Sequence, residues 1–325
     1  KVEHASVRDS VGVFDVSHMG EIFVSGKNSE DFLQYITSND VSKLTVGKVQ
    51  YSCFPNNKGG IVDDLLVYKI EENEYMLVVN ASNLDKDWEW INFHNTFGVT
   101  LENKSDDYSL LAVQGPNSIE LLRQLTSVNL PEIKYYNFRI GVIAGIENVI
   151  LSRTGYTGEL GFELYVKNED IIQLWDKLFS TNTELMPIGL AARDTLRLEK
   201  GFCLYGNDIN ETTSPIEAGL GWITKFTKEF INSENLLKQK TEGAKRRLVG
   251  LEIIEKGIAR KDYPVIDKNG NEIGVVTSGT MSPTLNKSIA MAYVNSEFKK
   301  VDSEVYIQVR KKQIKAKVVS IPFVK

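Results

Sequence analysis

Gly59-Gly60-Ile61-Val62-Asp63-Asp64-Leu65-Leu66-Val67-Tyr68 sets two carboxylates side by side inside an apolar run rich in β-branched residues. Apolar residues on both sides of the pair predict a largely buried strand. A strand sends Asp63 and Asp64 to opposite faces, so at least one points toward the interior or a cavity, where an unpaired carboxylate is costly. Two readings are open from these residues alone: a structural acid accepting backbone N–H bonds, or a carboxylate serving a site.

Working outward, YSCFPNNKGG reads as a hairpin turning at Asn57-Lys58-Gly59-Gly60, and VGVFDVSHMGEIFVSG as strand, turn and strand around Gly20 after a short polar opening. Residues 29–36 carry Phe32, Leu33 and Ile36 at helical spacing. Residues 74–80 form a strand ending at Asn80, followed by a helix over 82–93 with Leu84, Trp88 and Ile91 on one stripe. The theme then repeats: YSLLAVQGP as a strand, a helix over 117–125, a strand over 148–153, and a helix over 169–179 with Ile172, Trp175 and Leu178 as its apolar stripe. PIGLAARDTLRLEKG predicts a further helix over 190–199, stopped by Gly201. Strands alternating with helices, several joined by hairpin-type turns, indicate an α+β or α/β first region. The charged stretch KQKTEGAKRR, 238–247, marks a change of character and places a boundary between 1–240 and 241–325. Beyond it lie only short strands joined by turns, with Asn269-Gly270 as a two-residue turn and another near Lys311-Lys312. That pattern predicts an antiparallel barrel or sandwich.

The 325 residues, 42% apolar and 25% charged, suffice for two or three cores, so several domains are expected. A net charge of -5 argues against a sequence-independent nucleic-acid binder, which needs a basic surface. Cys53 and Cys203, the only cysteines, sit in apolar surroundings and cannot build a disulfide framework, which favours a reducing compartment. His4, His18 and His94 are scattered, so no structural metal site is expected. No apolar run reaches membrane-spanning length, which excludes an integral helical membrane protein. KVEHASVRDS resembles no signal peptide and lacks an initiator Met, which points to a chain trimmed at its start.

Phosphate-cradling GxxxxGK[ST] and GxGxxG motifs are absent, as is a GxSxG elbow. Ser17-His18 fits a hydrogen-bonded strand end better than a nucleophile and base. What stands out is RTGYTGELGFEL, 153–164, where three glycines allow close backbone approach and Glu163 lies between Phe162 and Leu164. Arg193 stands in the otherwise apolar helix start GLAARD. Glu163 either pairs with Arg193 or Arg197 as a buried salt bridge, or offers its carboxylate to the N–H donors of a planar heterocycle, with an arginine serving a carbonyl or carboxylate.

VGVFDVSHMGE, GGIVDDLLVY, VVNASN, SRTGYTGELGFEL, GLAARDTLRLEKGFCLYGND and TSGTMSPTLNKSIAMAYV, in that order, resemble the aminomethyltransferase (T-protein) family of the glycine cleavage system over essentially the whole chain. The resemblance implies two α+β domains forming a ring around a central folate cavity, plus a C-terminal antiparallel β-barrel domain. It implies transfer of the aminomethyl carbon from the lipoyl arm of H-protein to tetrahydrofolate as cosubstrate, releasing ammonia and giving 5,10-methylenetetrahydrofolate, with a functional link to glycine decarboxylase and dihydrolipoyl dehydrogenase. Such an enzyme is cytoplasmic in a bacterium and mitochondrial in a eukaryote. Carried over by position, Asp64 matches the catalytic aspartate, Glu163 and Arg193 the folate-contacting acid and arginine, and Tyr51, Asn80, Tyr156 and Tyr205 further pocket residues. On this reading Asp64 faces the site, holding the folate nitrogen and stabilising developing positive charge or relaying a proton, while Asp63 serves the scaffold. Family members begin a few dozen residues earlier and often extend past Pro322-Phe323. A related folate-dependent demethylase and a non-enzymatic folate-binding protein of iron-sulfur assembly share the pattern as alternatives. Lys256, Arg260 and Lys261 in EKGIARKDYP, with Lys287, form a basic patch suited to docking an acidic carrier.

Overall fold

A computed structural model describes residues 1–182 and 184–325. Its contacts divide the chain into two compact units, neither of them a single stretch of sequence. Lys1–Phe54, Asp63–Ala192 and Thr227–Phe230 form the first; Pro55–Val62, Arg193–Phe226 and Ile231–Lys325 form the second.

Two sheets organise the first unit. One has six strands in the order Met186–Pro187, Gly12–Asp15, Tyr108–Gln114, Gly161–Lys167, Ile146–Ser152 and Phe138–Ile143. Only its first pairing is parallel. The other runs Val49–Pro55, Ile61–Glu71, Glu74–Val79, Gly20–Ser25 and Thr100–Asn103. The double-aspartate stretch is thus part of the second strand of this sheet, beside its hairpin partner, as the sequence predicts. Helix Ser29–Ile36 buries Phe32, Leu33 and Ile36 completely, the face its spacing predicted.

The second unit contains a closed barrel of six strands: Arg246–Ile253, Ser288–Asn295, Glu272–Met281, Pro264–Ile266, Glu304–Val309 and Lys312–Val319. Every pairing in it is antiparallel. Ile314, Ala316 and Val318 alternate inward along the last strand, and small Ala290 and Ala292 face the same core, which suits the narrow interior of a six-stranded barrel. The α+β class and the antiparallel barrel agree with the sequence reading.

Local differences have physical causes. The opening, read as a short polar stretch, is helix Val2–Asp9, which buries His4 and Val7 on one face. On helix Ile171–Thr181 the core face is Leu174 and Leu178, flanked by Ile171 and Trp175, whereas Ile172 is 72% exposed. Ile171 packs against this core and Ile172, about 100° further round the helix, turns to solvent; the sequence reading chose the wrong isoleucine. The helices read over 82–93 and 117–125 are Leu84–His94, entered through the turn Ala81–Asn83, and the short Ser118–Leu122. The turn at Asn269-Gly270 is longer than two residues: Asp267 Oδ1 accepts the N–H of Asn269 at 2.8 Å and of Asn271 at 2.9 Å. Cys53 and Cys203 are both buried.

Candidate functional site

The aspartate strand places its two carboxylates in unlike surroundings. Asp63 is fully buried and accepts three N–H bonds: from Asn80 N at 2.9 Å, Asn80 Nδ2 at 2.8 Å and Asn83 Nδ2 at 2.6 Å. These donors come from the end of the neighbouring strand Glu74–Val79 and the turn after it. Asp64 is half-buried and is gripped at both oxygens. Tyr51 Oη donates to Oδ2 at 2.8 Å, and Asn80 Nδ2 donates to Oδ1 at 2.8 Å. Burial first, and then the charge of Asp63, push the Asp64 carboxyl up to about 7. A carboxyl so placed is able to hold or release a proton near neutral pH, with its orientation fixed.

Glu163 projects from strand Gly161–Lys167 between buried Phe162 and Leu164, and is itself half-buried. Its Oε2 accepts the Thr154 hydroxyl at 2.5 Å and, more weakly, the Tyr165 hydroxyl at 3.4 Å. Behind these, Tyr68 Oη lies 3.0 Å from both Ser152 Oγ and Tyr165 Oη, so neutral hydroxyls surround one acid. Glu21, on the strand Gly20–Ser25, is 1% exposed, and its Oε2 has no hydrogen-bond partner among the described residues. Burial and then the neighbouring charge of Glu163 push its carboxyl up to about 8.

Tyr156 is half-buried in the loop that precedes the Glu163 strand. Two glycines of that loop have a definite cause: a Cβ at Gly155 would lie 2.1 Å from Gln114 Oε1, and one at Gly161 would lie 2.4 Å from Gln114 Nε2. Gln114 in turn accepts the Thr157 hydroxyl at 2.8 Å. Arg193 and Tyr205 belong to the second unit, both half-buried. Tyr205 Oη donates to the Ile61 carbonyl at 3.0 Å, close in sequence to the aspartates. Arg197, considered as a partner for Glu163, is buried in the second unit against Asp208 and Asp194, each at 2.7 Å. Ser17, in the turn after strand Gly12–Asp15, accepts the Leu110 N–H at 3.1 Å, and His18 is exposed, an arrangement unlike a nucleophile and its base.

Of the predicted residues, Tyr51, Asp64 and Asn80 form one bonded group, and Glu163 centres a second. Sequence reasoning passed over Asn83, Thr154 and Glu21. Glu21 carries the same signal as Glu163, a carboxylate within an apolar strand, and was legible by that rule. Asn83 and Thr154 are ordinary polar loop residues until the chain is folded. Among the described residues no group of three or more His, Cys, Asp and Glu side chains is placed to hold a metal ion, and no helix is long and apolar enough to cross a membrane.

Comparison with known proteins matches residues 1–228 to the GCVT N-terminal domain and residues 246–325 to the glycine cleavage T-protein C-terminal barrel domain. An aminomethyltransferase of Flavobacterium psychrophilum is 59% identical, with 99% of this chain and 90% of that protein covered. One from Halothermothrix orenii is 50% identical over the same shares. The crystal structure of glycine cleavage system aminomethyltransferase T from Bartonella henselae superposes with a TM-score of 0.93 at 34% identity, covering 99% of this chain and 89% of that one. The chain belongs to the glycine cleavage T-protein family.

Proposed function

We propose that this chain moves an aminomethyl carbon from a lipoyl-bearing carrier, H-protein, to tetrahydrofolate, with Asp64 as the reacting carboxylate. As a member of a family of aminomethyltransferases it is a one-carbon group transferase. The observation that carries the residue assignment is the grip on Asp64, fixed at both oxygens by Tyr51 and Asn80 while part of its surface stays open.

Tetrahydrofolate supplies the nitrogen that accepts the carbon. The chain's own residues fit such a cosubstrate. Glu163 offers a carboxylate to the N–H donors of an amino-pyrimidinone edge, and Thr154 orients it. Asn80 gives its amide hydrogens to the aspartates and keeps Oδ1 to offer a ligand. Arg193, Tyr156 and Tyr205 complete the set implied by family position. Asp64, poised near neutrality, steadies positive charge in its ionised form or holds the transferred proton at Oδ1 or Oδ2. Tyr51 and Asn80 fix its direction, so little reorganisation is needed as charge develops.

Ammonia release is the discriminating assay. The enzyme mixed with aminomethylated lipoyl H-protein and tetrahydrofolate is expected to yield ammonia and 5,10-methylenetetrahydrofolate in equal amounts, with neither formed when tetrahydrofolate is left out at the same short reaction time. Equal ammonia with and without tetrahydrofolate, or none with all components present, contradicts the proposal.

A further inference from the structure

Helix Leu84–His94 buries Asp87, Ile91 and His94, residues spaced along one helical face. Asp87 is the unexpected member. It is 0% exposed, and among the described residues neither of its carboxyl oxygens meets an N–H or O–H donor. What its carboxyl does meet is the carboxyl of Asp63. Asp63 already accepts three N–H bonds, the mark of the ionised partner. Two ionised carboxylates in contact in the interior repel, and Asp87 has nothing to offset the loss of water. The proton that holds the pair together therefore sits on Asp87 and is donated to Asp63. The charged groups facing Asp87 are Asp63 and Asp64 on the aspartate strand and Lys86 on its own helix; burial and Asp63 push its carboxyl up to about 11, against the smaller pull of Lys86.

We propose that Asp87 is a positioning residue for aminomethyl transfer: as a neutral acid it donates to Asp63, Asp63 holds Asn80 by its backbone and side-chain N–H groups, and Asn80 Nδ2 orients Asp64. The inference rests on the reading of Asp64 as the reacting carboxylate. Without the Asp87 contact, Asp63 loses a partner that fixes its position, so Asn80 is placed less precisely, and the less shared charge of Asp63 makes Asp64 bind its own proton more tightly.

Two readouts test this. Carbon NMR of the wild-type enzyme with labelled aspartate, the Asp87 signal identified by its loss in Asp87→Asn, is expected to show a protonated carboxyl from about pH 6 to about pH 9. An ionised Asp87 at neutral pH overturns the proposal. In kinetics, Asp87→Asn keeps an N–H donor for Asp63 and is expected to keep most of kcat. Asp87→Ala is expected to lose about tenfold in kcat with KM for tetrahydrofolate unchanged, and to shift the Asp64 limb of the pH profile upward. Wild-type kcat and pH profile in Asp87→Ala, even with a lowered Tm, overturn the proposal, as does an Asp87→Asn enzyme that folds but is as impaired as the alanine variant. Should Asp87→Ala fail to fold, the NMR result and Asp87→Asn decide. Failure of the Asp64 reading would show instead as transfer retained in Asp64→Ala, and leaves the NMR result untouched.

Discussion

Asp63 and Asp64 are neighbours in the chain with different surroundings, one fully buried under three N–H donors and the other half-open and gripped by Tyr51 and Asn80. Strand alternation makes the split legible in the sequence, but Tyr51 as a partner is not, because it depends on which residues a hairpin brings abreast. At Glu163 the open question was scaffold or ligand. Glu163→Ala is expected to weaken tetrahydrofolate binding about 10- to 100-fold, the loss of a charge-assisted hydrogen bond worth about 1.5–3 kcal/mol. Fluorescence titration checks it; unchanged affinity with a lower Tm would make Glu163 a scaffold residue. Glu21 gives a pH prediction. Its folded carboxyl lies at about 8 against an ordinary 4.5, so the stabilisation it contributes is present below the ordinary value and is lost as pH rises through about 8. Glu21→Gln, which cannot ionise, is expected to melt close to wild type in mild acid and above it at about pH 9. Thermal melts at both pH values decide, and a variant that melts below wild type in alkali contradicts the cost of ionising this buried acid.

Elements with one clear period were legible, and those with competing signals were not. Helix Ser29–Ile36 and the barrel strands follow directly from apolar spacing. Helix Ile171–Thr181 begins with two isoleucines, and only packing against Leu174 and Leu178 tells which one is inside. Leu174→Ala is accordingly expected to cost about 2–5 kcal/mol in unfolding free energy, and Ile172→Ala no more than about 0.5 kcal/mol. Denaturant unfolding of the two variants tests the assignment, with equal losses contradicting it. Asp87 was illegible for the opposite reason: a carboxylate reads as the wet face of a helix, and only the acid across from it makes the buried position tenable.

At the scale of the whole molecule, the gap between the two family segments, 1–228 and 246–325, holds all but the last two residues of the charged stretch 238–247 that the sequence marked as a change of character. The basic patch proposed for an acidic carrier is smaller than the sequence suggested. Lys287 pairs with Glu252 at 2.8 Å, and Lys261 Nζ donates to the Gly206 carbonyl and to Asn207, within the same unit. Lys256 and Arg260 are the exposed cations better suited to docking, although Arg260 also reaches the Gly279 carbonyl at 3.3 Å. Reversing both to Glu is expected to raise KM for H-protein several-fold at low ionic strength, to matter less at high salt, and to leave KM for tetrahydrofolate alone. Unchanged H-protein kinetics at low salt would remove this surface from consideration. The central claim, that Asp64 acts in the transfer rather than in holding the fold or the folate, is met most directly by single-turnover transfer from aminomethylated H-protein in Asp64→Ala, with tetrahydrofolate affinity measured on the same protein. The account predicts transfer lost and affinity within a few-fold of wild type, because a carboxylate whose work is done as charge develops is missed in turnover and not in binding. Transfer close to the wild-type rate would contradict it.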